Sequence, residues 1–177
     1  MNPIHILSNQ IDELNLWESK ISLKRNDFLK LGGSTDTKLY YVLNGSLRMF
    51  VMDKSEELTI RFGYKDSFVA SLDSFISEKE SDLYIQAIKK TELKVISKKR
   101  FIEFVESTPE NHKIWIEILS QLIQQQMERE RDILTTSPVE RYKRVLARSP
   151  QLFQEIPLKH IASYLRMTPE TLSRIKK

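Results

Sequence analysis

The residues with the clearest chemical pattern lie among the last twenty positions of the chain. Thr168 is a suitable N-cap and Pro169 suits the first position of a helix, so the sequence predicts a short helix that begins there. Glu170, Ser173 and Arg174 then fall on one outward face of that helix. Arginine can donate a forked pair of hydrogen bonds to guanine, and glutamate can accept one from cytosine. The pattern therefore favours a helix that reads base edges in the major groove of DNA.

A second short helix is predicted just before this one, so that the two would form a helix-turn-helix. Ala162 is small, as expected where two helices cross closely. Arg166 occupies the turn, where glycine often supplies a positive φ, so we expect Arg166 to accept that conformation or to face a phosphate. A plain helical hairpin has similar spacing and is the alternative interpretation. The buried sides of the two helices are predicted to consist of Ile161, Ala162, Leu165, Leu172 and Ile175.

Positive charge is concentrated around these helices. From residue 136 to the end, nine lysines and arginines stand against three glutamates, which gives this segment a charge of +6 in a chain whose net charge is +4. Lys159, Lys176 and Lys177 therefore join Arg166 as candidate DNA contacts. A basic segment on a mildly acidic body indicates a polyanionic partner, and a solvated basic surface is the alternative.

A long helix is predicted before this segment, from about residue 109 to 134. Its roughly 25 residues would span about 38 Å, which exceeds what a domain of this size needs internally. Its apolar stripe favours a coiled-coil-like dimer seam over a simple core helix, although Gln124, Gln125 and Gln126 interrupt it. Part of the stripe must pack on the rest of the chain, so only part can face a partner. The candidate dimerisation residues are Ile114, Trp115, Ile118, Leu119, Leu122 and Ile123.

Short strands and turns dominate residues 21–97, after a helix predicted from about residue 3 to 20. Two β-prone runs, 39–43 and 47–51, flank Asn44-Gly45, which is typical of a two-residue β-hairpin. Several strands at this spacing indicate a small antiparallel barrel or sandwich. A polar turn at 52–57 and further strands at 58–62, 83–88 and 93–97 complete the predicted pattern.

The predicted fold class is α+β. An N-terminal antiparallel β-roll or jelly roll is followed by the long helix and the helix-turn-helix. A short helix should begin near residue 98 and end before Pro109, and Ser137 and Pro138 should begin the helix that follows the long one. The predicted domains are a sensor domain at 1–108, the dimerisation helix at 109–135 and a DNA-binding domain at 136–177.

Several missing residue types and patterns restrict the chemistry. Cysteine is absent, which excludes disulfides, catalytic thiols and cysteine-bound iron–sulfur clusters. His5, His112 and His160 lack metal-ligand spacing, so neither a metal nor a cofactor is expected. The sequence contains neither a nucleophile–base pairing nor a glycine-rich phosphate loop, so no enzyme is predicted. No apolar run of about 18 residues and no secretion signal is found, so we expect a cytoplasmic protein without a membrane partner.

The order of these elements and several of their sequences resemble the Crp/Fnr superfamily of bacterial transcription factors. The resemblance implies a cyclic-nucleotide-binding-like sensor domain, a central dimerisation helix and a winged helix-turn-helix with Glu170, Ser173 and Arg174 at base-reading positions. It implies double-stranded DNA and a second copy of the chain as partners. RNA polymerase is a further candidate partner, and the effector is an unknown small molecule or none. The resembling segments are 40–47 (Tyr-Tyr-Val-Leu-Asn-Gly-Ser-Leu), 96–101, the long helix, 161–165 and 168–175.

The sequence departs from the family pattern in two places. It ends at Lys177, just after Arg174, so the usual wing strands are missing, and a wingless and a truncated protein both fit. In the family's cyclic-nucleotide sensors, a Gly-Glu-Leu segment holds the ribose and a later Arg-Ser pair holds the cyclic phosphate. These segments align here with Ala70-Ser71-Leu72 and Ser81-Asp82, which supply neither the glutamate nor the arginine. The candidate ligand-pocket residues are Ser71, Leu72, Ser81 and Asp82. We therefore expect no cyclic AMP binding of the usual kind, and an apolar or cationic ligand, a partner protein or no ligand stay open.

The sequence thus predicts a sequence-specific DNA-binding transcription regulator that acts as a dimer. The rival prediction is a β-roll module that senses a ligand or binds proteins and no longer binds DNA.

Overall fold

The strands of the computed structural model, which describes residues 2–176, form two antiparallel sheets of four strands each. The strands are β1 (Ser19–Leu23), β2 (Phe28–Lys30), β3 (Leu39–Asn44), β4 (Ser46–Asp53), β5 (Glu56–Tyr64), β6 (Phe68–Val69), β7 (Tyr84–Ala87) and β8 (Thr91–Ile96). The first sheet has the order β1-β8-β3-β6 and the second the order β2-β7-β4-β5. Val42, Leu47, Ile85 and Leu93 are fully buried in one apolar cluster that both sheets supply. The fold class predicted from the sequence is confirmed.

The hairpin predicted at Asn44-Gly45 is wrong. Strands β3 and β4 belong to different sheets, so Asn44-Gly45 is a corner where the chain crosses from one sheet to the other. Gly45 has the positive φ of +95° that the corner requires, and the backbone N–H of Ser46 donates to Thr91 Oγ1 over 3.1 Å. Strand β3, which is buried over most of its length, pairs with β8 and β6 in the first sheet, and the turn residues alone could not reveal this pairing.

The polar turn after β4 does form a hairpin. Strands β4 and β5 pair from Asp53↔Glu56 to Ser46↔Tyr64, and Lys54 turns the chain with a φ of 55°. The tip of this hairpin is acidic, with Asp53, Glu56 and Glu57 exposed.

The first helix, α1 (Pro3–Glu13), is shorter than predicted. Leu14 is 59% exposed, and the residues from Ser19 onward form β1 instead. Leu7 and Ile11 of α1 are fully buried with α3 (Lys98–Glu106) and α4 (Pro109–Leu134) in a second apolar cluster. The long helix therefore packs on the chain's own N-terminal helix along part of its length.

The remaining helices form a third apolar cluster, mostly at the C-terminal end. The side-chain Oγ of Ser137 accepts from the Glu140 N–H, so the predicted N-cap is confirmed. Ile88, which directly follows strand β7, is also part of this cluster. These helices are α5 (Pro138–Arg148), α6 (Pro150–Glu155), α7 (Leu158–Tyr164) and α8 (Pro169–Ile175), and one turn of helix, α2 (Leu72–Ser77), lies between β6 and β7.

Candidate DNA-binding surface

Helices α7 and α8 form a helix-turn-helix over a tightly closed core. Ile161, Ala162, Leu165 and Leu172 are each fully buried. Arg166 occupies the turn with a φ of 54°, so it accepts the left-handed conformation that glycine would adopt more easily. Its side chain is exposed, which leaves the guanidinium free to meet a polyanion.

Helix α8 begins with a side-chain cap and carries its polar residues outward. Thr168 Oγ1 accepts from the Thr171 N–H over 3.2 Å. Glu170, Ser173 and Arg174 are all exposed. Hydrogen bonds from its own backbone N–H and from the Thr168 hydroxyl lower the pKa of Glu170, so this carboxylate stays ionised at the start of the helix. Pro169, Lys159 and Lys176 are also exposed, and Lys177 lies outside the described residues.

The helix-turn-helix is docked on the chain's own β-roll through α7. Ser163 Oγ donates to the Glu57 carbonyl over 2.9 Å and accepts from the Thr59 N–H at 3.2 Å. The Tyr164 ring packs on Phe62 with centroids 5.5 Å apart. On its other side the guanidinium of Arg129 lies 3.8 Å from the Tyr164 ring centroid, within cation–π distance. Sequence patterns gave no sign of this contact, because Ser163 and Tyr164 look like ordinary outward residues of a short helix.

The docking places negative charge opposite part of the candidate surface. A cleft between the β4–β5 hairpin and the helix-turn-helix is lined by Glu56 and Glu57 on one side and by Lys159, Arg166 and Thr168 on the other. The outer residues Ser173 and Arg174 do not line this cleft. In this arrangement, the start of α8 shares a cleft with the acidic hairpin, where the Glu57 carboxylate is paired with Arg48 at 2.5 Å, and the rest of the helix faces outward.

Two groups of hydrogen bonds tie α5 to the end of α4. Arg141 donates to the carbonyls of Thr135 over 2.6 Å and Arg166 over 3.2 Å. The fully buried carboxylate of Asp132 binds Arg144 at 3.1 Å and also pairs with Arg148. The Asp132 carboxylate raises the pKa of Arg148 by hydrogen bonding and charge, so this guanidinium stays ionised.

Most of the candidate dimerisation residues on α4 face the chain's own β-roll. Ile118 is buried in the α1–α3–α4 cluster, where Ile114 and Trp115 also pack. Leu119 and Leu122 are half-buried and line a cavity between α4 and the β-roll. Of the six residues, only Ile123 is a large exposed apolar side chain, at 61%.

A different set of apolar residues is exposed along α4. Sequence analysis did not single out Ile116, Ile133 or Leu134, and it assigned the inward-facing residues to the seam instead. The signal was present in the spacing, because Ile116 precedes Ile123 by seven residues and Met127 precedes Leu134 by seven. We call this set the exposed α4 stripe, and it consists of Ile116, Ile123, Met127, Ile133 and Leu134.

The residues aligned with the cyclic-nucleotide cassette are engaged inside the protein. Ser71 is fully buried and donates to Asp73 over 2.8 Å, and Ser81 Oγ accepts from the Leu83 N–H. Leu72 lines the cavity beside α4, and Asp82 is exposed. No arginine or glutamate takes the missing positions. Among residues 2–176, no cluster of three or more potential metal ligands occurs.

A buried lysine that sequence analysis missed lies beside this segment. Lys30 is 4% exposed, and its ammonium donates to the carbonyls of Ser81 over 2.9 Å and Leu83 over 2.8 Å. Burial lowers the pKa of Lys30, against the opposing influence of nearby aspartates. Lys30 thus fastens β2 to the chain around Ser81 and has no free donor pointing at a cassette ligand.

Comparison with known proteins identifies the fold. No protein-family model and no curated protein sequence matches the chain. A mutant of CooA from Carboxydothermus hydrogenoformans matches with a TM-score of 0.75 at 15% identity, over 99% of this chain and 83% of that one. The catabolite activator protein of Thermus thermophilus matches with a TM-score of 0.61 at 18% identity, over 99% and 85% of the two chains.

A third structure carries the family name directly. It is a CRP/FNR-family transcriptional regulator, also from Thermus thermophilus, with a TM-score of 0.65 at 19% identity over 89% of this chain and 83% of that one. Along residues 2–176, no helix combines the length and apolarity needed to cross a bilayer. The two sheets, the long helix and the C-terminal helices together give this chain the fold of the Crp/Fnr transcription regulators.

Proposed function

We propose that the chain is a transcription regulator that binds specific DNA sequences as a dimer in the cytoplasm. The observation that carries the proposal is the outward face of α8, where Glu170, Ser173 and Arg174 are exposed on a capped helix. A fully buried core fixes the direction of that helix, and the surrounding segment is strongly basic. Such a helix can enter a major groove with its polar face against base edges.

The proposed contacts divide into two kinds. Arg174 and Glu170 would read base edges, and Ser173 would support them. Lys159, Arg166 and Lys176 would contact phosphates and position the helix without reading sequence. Thr168 and Pro169 set the start of the helix, and Lys177 belongs to the same basic end.

The exposed α4 stripe supports the proposed dimer. Four of its large apolar side chains, Ile116, Ile123, Met127 and Leu134, share one face of the helix, and a second copy of the same helix would cover them. A two-fold dimer places two recognition helices about 34 Å apart, which predicts a pseudo-palindromic site. Glu56 and Glu57 line the same cleft as Lys159 and Arg166, so separation of the hairpin from the helix-turn-helix would favour the approach of DNA phosphates. RNA polymerase is a further proposed partner.

One observation favours the second candidate function. The firm docking of α7 on β5 suits a module whose C-terminal helices serve protein contacts. The test is selection of bound sequences from a random DNA pool, followed by titration of the selected site in a gel-shift assay. A pool with no enriched sequence would reject the DNA-binding proposal in favour of that module.

Two substitutions sharpen this test. We expect Arg174→Ala to cost about 1–3 kcal/mol on the selected site and to relax preference at one base pair of each half-site. Lys159→Ala should weaken binding to selected and random DNA alike and flatten the salt dependence. Lys99→Ala, on an exposed lysine of α3, is the control and should change neither the affinity for DNA nor its salt dependence. Equal losses on both DNAs for Arg174→Ala would show that Arg174 contacts only the backbone.

A further inference from the structure

A second cleft lies between the β-roll and the C-terminal helices. It has a volume of about 240 Å³ and shares only Lys159 with the cleft beside the β4–β5 hairpin. No residue of α4 is among the described residues that line it. The β-roll contributes the loop between β1 and β2 and the turn after β7, and the end of α6 and the start of α7 contribute the rest. The polar residues of its wall are Arg25, Asn26, Lys89, Glu155, Lys159 and His160.

Positive charge prevails in this cleft. Three of its six polar residues are cations, and the one carboxylate among the described lining residues, Glu155, is already bound to Lys89 at 2.8 Å. Arg25 and Lys159 are exposed, and neither forms a salt bridge with another residue in the range 2–176. Cations gathered in one cleft raise the local positive potential and attract a dissolved anion. The cleft therefore has two cations to offer to a ligand.

The imidazole of His160 lies in this positive potential. It is half-buried and lines the cleft. Burial and three surrounding cations lower the pKa of His160 to about 4, against the attraction of Glu57, whose carboxylate is itself paired at 2.5 Å. The cations are Arg48, Lys159 and Arg25. An anion in the cleft would meet a neutral imidazole that can donate a hydrogen bond, and its charge would raise the pKa of this imidazole.

The donors in the cleft suit a tetrahedral anion. The guanidinium of Arg25 can donate to two oxygens of a phosphate at once, and the ammonium of Lys159 adds a compact charge. The side-chain amide of Asn26 is a further donor in the wall. Ile88 and Pro157 also line the cleft, so it has apolar wall for a small organic body beside the anionic group.

We propose that this cleft binds the phosphate dianion of a small phosphate monoester, held by Arg25 and Lys159 and hydrogen-bonded by His160. The bound phosphate bridges the β-roll and α7, because Arg25 belongs to the first and the other two residues to the second. It also occupies Lys159, a proposed contact for DNA phosphates, so the ligand should weaken DNA binding. That effect rests on the proposed function, whereas binding to the cleft does not and is measured without DNA.

Sulfate is the first probe, because it keeps two charges over the pH range in which His160 titrates. The chain has three histidines, so proton NMR can follow each imidazole, and His160→Gln assigns the signal in the cleft. Sulfate should raise the pKa of His160 by about 1, which means that the imidazole holds its proton about tenfold more tightly. Chloride at the same ionic strength should not. The signals of His5 and His112, which do not line the cleft, should respond to the two salts alike.

Calorimetry with inorganic phosphate assigns the cations, at about pH 8, where the second ionisation of phosphate is nearly complete. Arg25→Met and Lys159→Met should each raise the dissociation constant of phosphate about tenfold. Lys90→Met is the matched control, because Lys90 follows Lys89 directly but does not line the cleft and lies 3.7 Å from Glu92. It should leave the dissociation constant unchanged. Circular dichroism confirms that each variant is folded.

Dimethyl phosphate distinguishes a phosphate monoester from the DNA backbone as the source of the anion. It carries a single charge, as each backbone phosphate does, and should bind at least about tenfold more weakly than inorganic phosphate. Equal binding of the two would mean that the cleft suits the DNA backbone, and the proposed dianion site would be wrong.

Three further results would overturn the proposal. They are no binding of phosphate at about 10 mM, an unchanged pKa of His160 in sulfate, and equal effects of Lys159→Met and Lys90→Met. Selection of DNA sequences needs no phosphate ligand, so failure of the phosphate site and failure of the DNA-binding proposal can be told apart.

Discussion

Gly45 is the residue at which the chain turns from the first sheet into the second. Its φ is +95°, and an added Cβ would lie 2.4 Å from the Lys90 carbonyl oxygen. Alanine would therefore meet both backbone strain and a clash with a backbone atom that cannot easily move. We expect Gly45→Ala to lower the free energy of unfolding by at least about 1–3 kcal/mol, measured by urea denaturation.

Gly33 provides the control for this substitution. Its φ of +76° is also positive, but nothing lies within 4 Å of an added Cβ. Gly33→Ala should thus report backbone strain alone and cost less than Gly45→Ala. Equal losses of stability in the two variants would mean that the close approach to the Lys90 carbonyl contributes nothing to the cost of Gly45→Ala.

His160 should make stability depend on pH. Burial, together with Arg48, Lys159 and Arg25 and against the attraction of Glu57, lowers its pKa from 6.5 to about 4. The unfolded state therefore takes up a proton that the folded state refuses, so stability should fall as the pH drops from about 6.5 towards 4. The free energy of unfolding of His160→Gln, measured by urea denaturation, should fall less between about pH 7 and about pH 5 than that of the unsubstituted chain.

His112, an exposed histidine of α4, is the control for this measurement. His112→Gln should show the same decrease with pH as the unsubstituted chain. If the decrease is as large in His160→Gln as in the control, the buried histidine is not its source.

At the scale of elements, one hydroxyl, that of Ser163, forms hydrogen bonds between α7 and β5. Ser163→Ala would remove the bond to the Glu57 carbonyl and leave the N–H of Thr59, a residue only 3% exposed, without a partner. We expect a loss of about 1–3 kcal/mol in the docking of the helix-turn-helix. Hydrogen exchange should show faster exchange of the Thr59 amide, with no change in the core strands β3 and β8.

Ser120→Ala provides the comparison for Ser163. The Ser120 hydroxyl is exposed and donates only to a carbonyl of its own helix, so its removal should leave the Thr59 amide protected. Unchanged exchange in Ser163→Ala would show that Tyr164 and Arg129 hold the contact without the hydroxyl.

The same elements show which parts of the fold the sequence could predict. The starts of α4, α5 and α8 followed from local signals, namely Pro109, Ser137-Pro138 and Thr168-Pro169, because caps act over a few residues. The partner of β3 and the docking of α7 did not follow from local signals, because both depend on residues far apart in the chain. On α4, periodicity identified the apolar positions but could not tell which side faces the protomer's own core. Burial of Lys30 and Arg129 likewise depends on distant contacts that charge alone cannot reveal.

At the scale of the whole molecule, the exposed α4 stripe should hold the dimer. Ile123→Glu would place a charge in the middle of the proposed seam, where it would be buried without a partner. We expect the dimer at micromolar concentration to become a monomer in light scattering. Affinity for a pseudo-palindromic site should fall, because only one recognition helix then engages each molecule.

Ile76→Glu is the matched control for Ile123. Ile76 is 73% exposed on α2, away from the stripe, so the same substitution there should leave the molecular mass unchanged. An unsubstituted chain that is already a monomer, or dissociation by both variants alike, would contradict the proposed seam.

The bonds between α5 and the end of α4 determine where the molecule can pivot. Arg141 holds the covalent connector at Thr135 to the turn at Arg166, and Asp132 and Glu128 hold α5 to α4. We therefore expect the last two turns of α4 to move as one body with α5 and the helix-turn-helix. A rotation at the connector around Ser137 would have to break the bond of Arg141 to Thr135 and the bonds of α5 to Asp132 and Glu128 together. Bending of α4 itself, on the N-terminal side of Glu128, breaks none of them, so we expect the long helix to act as a lever arm as well as the proposed seam.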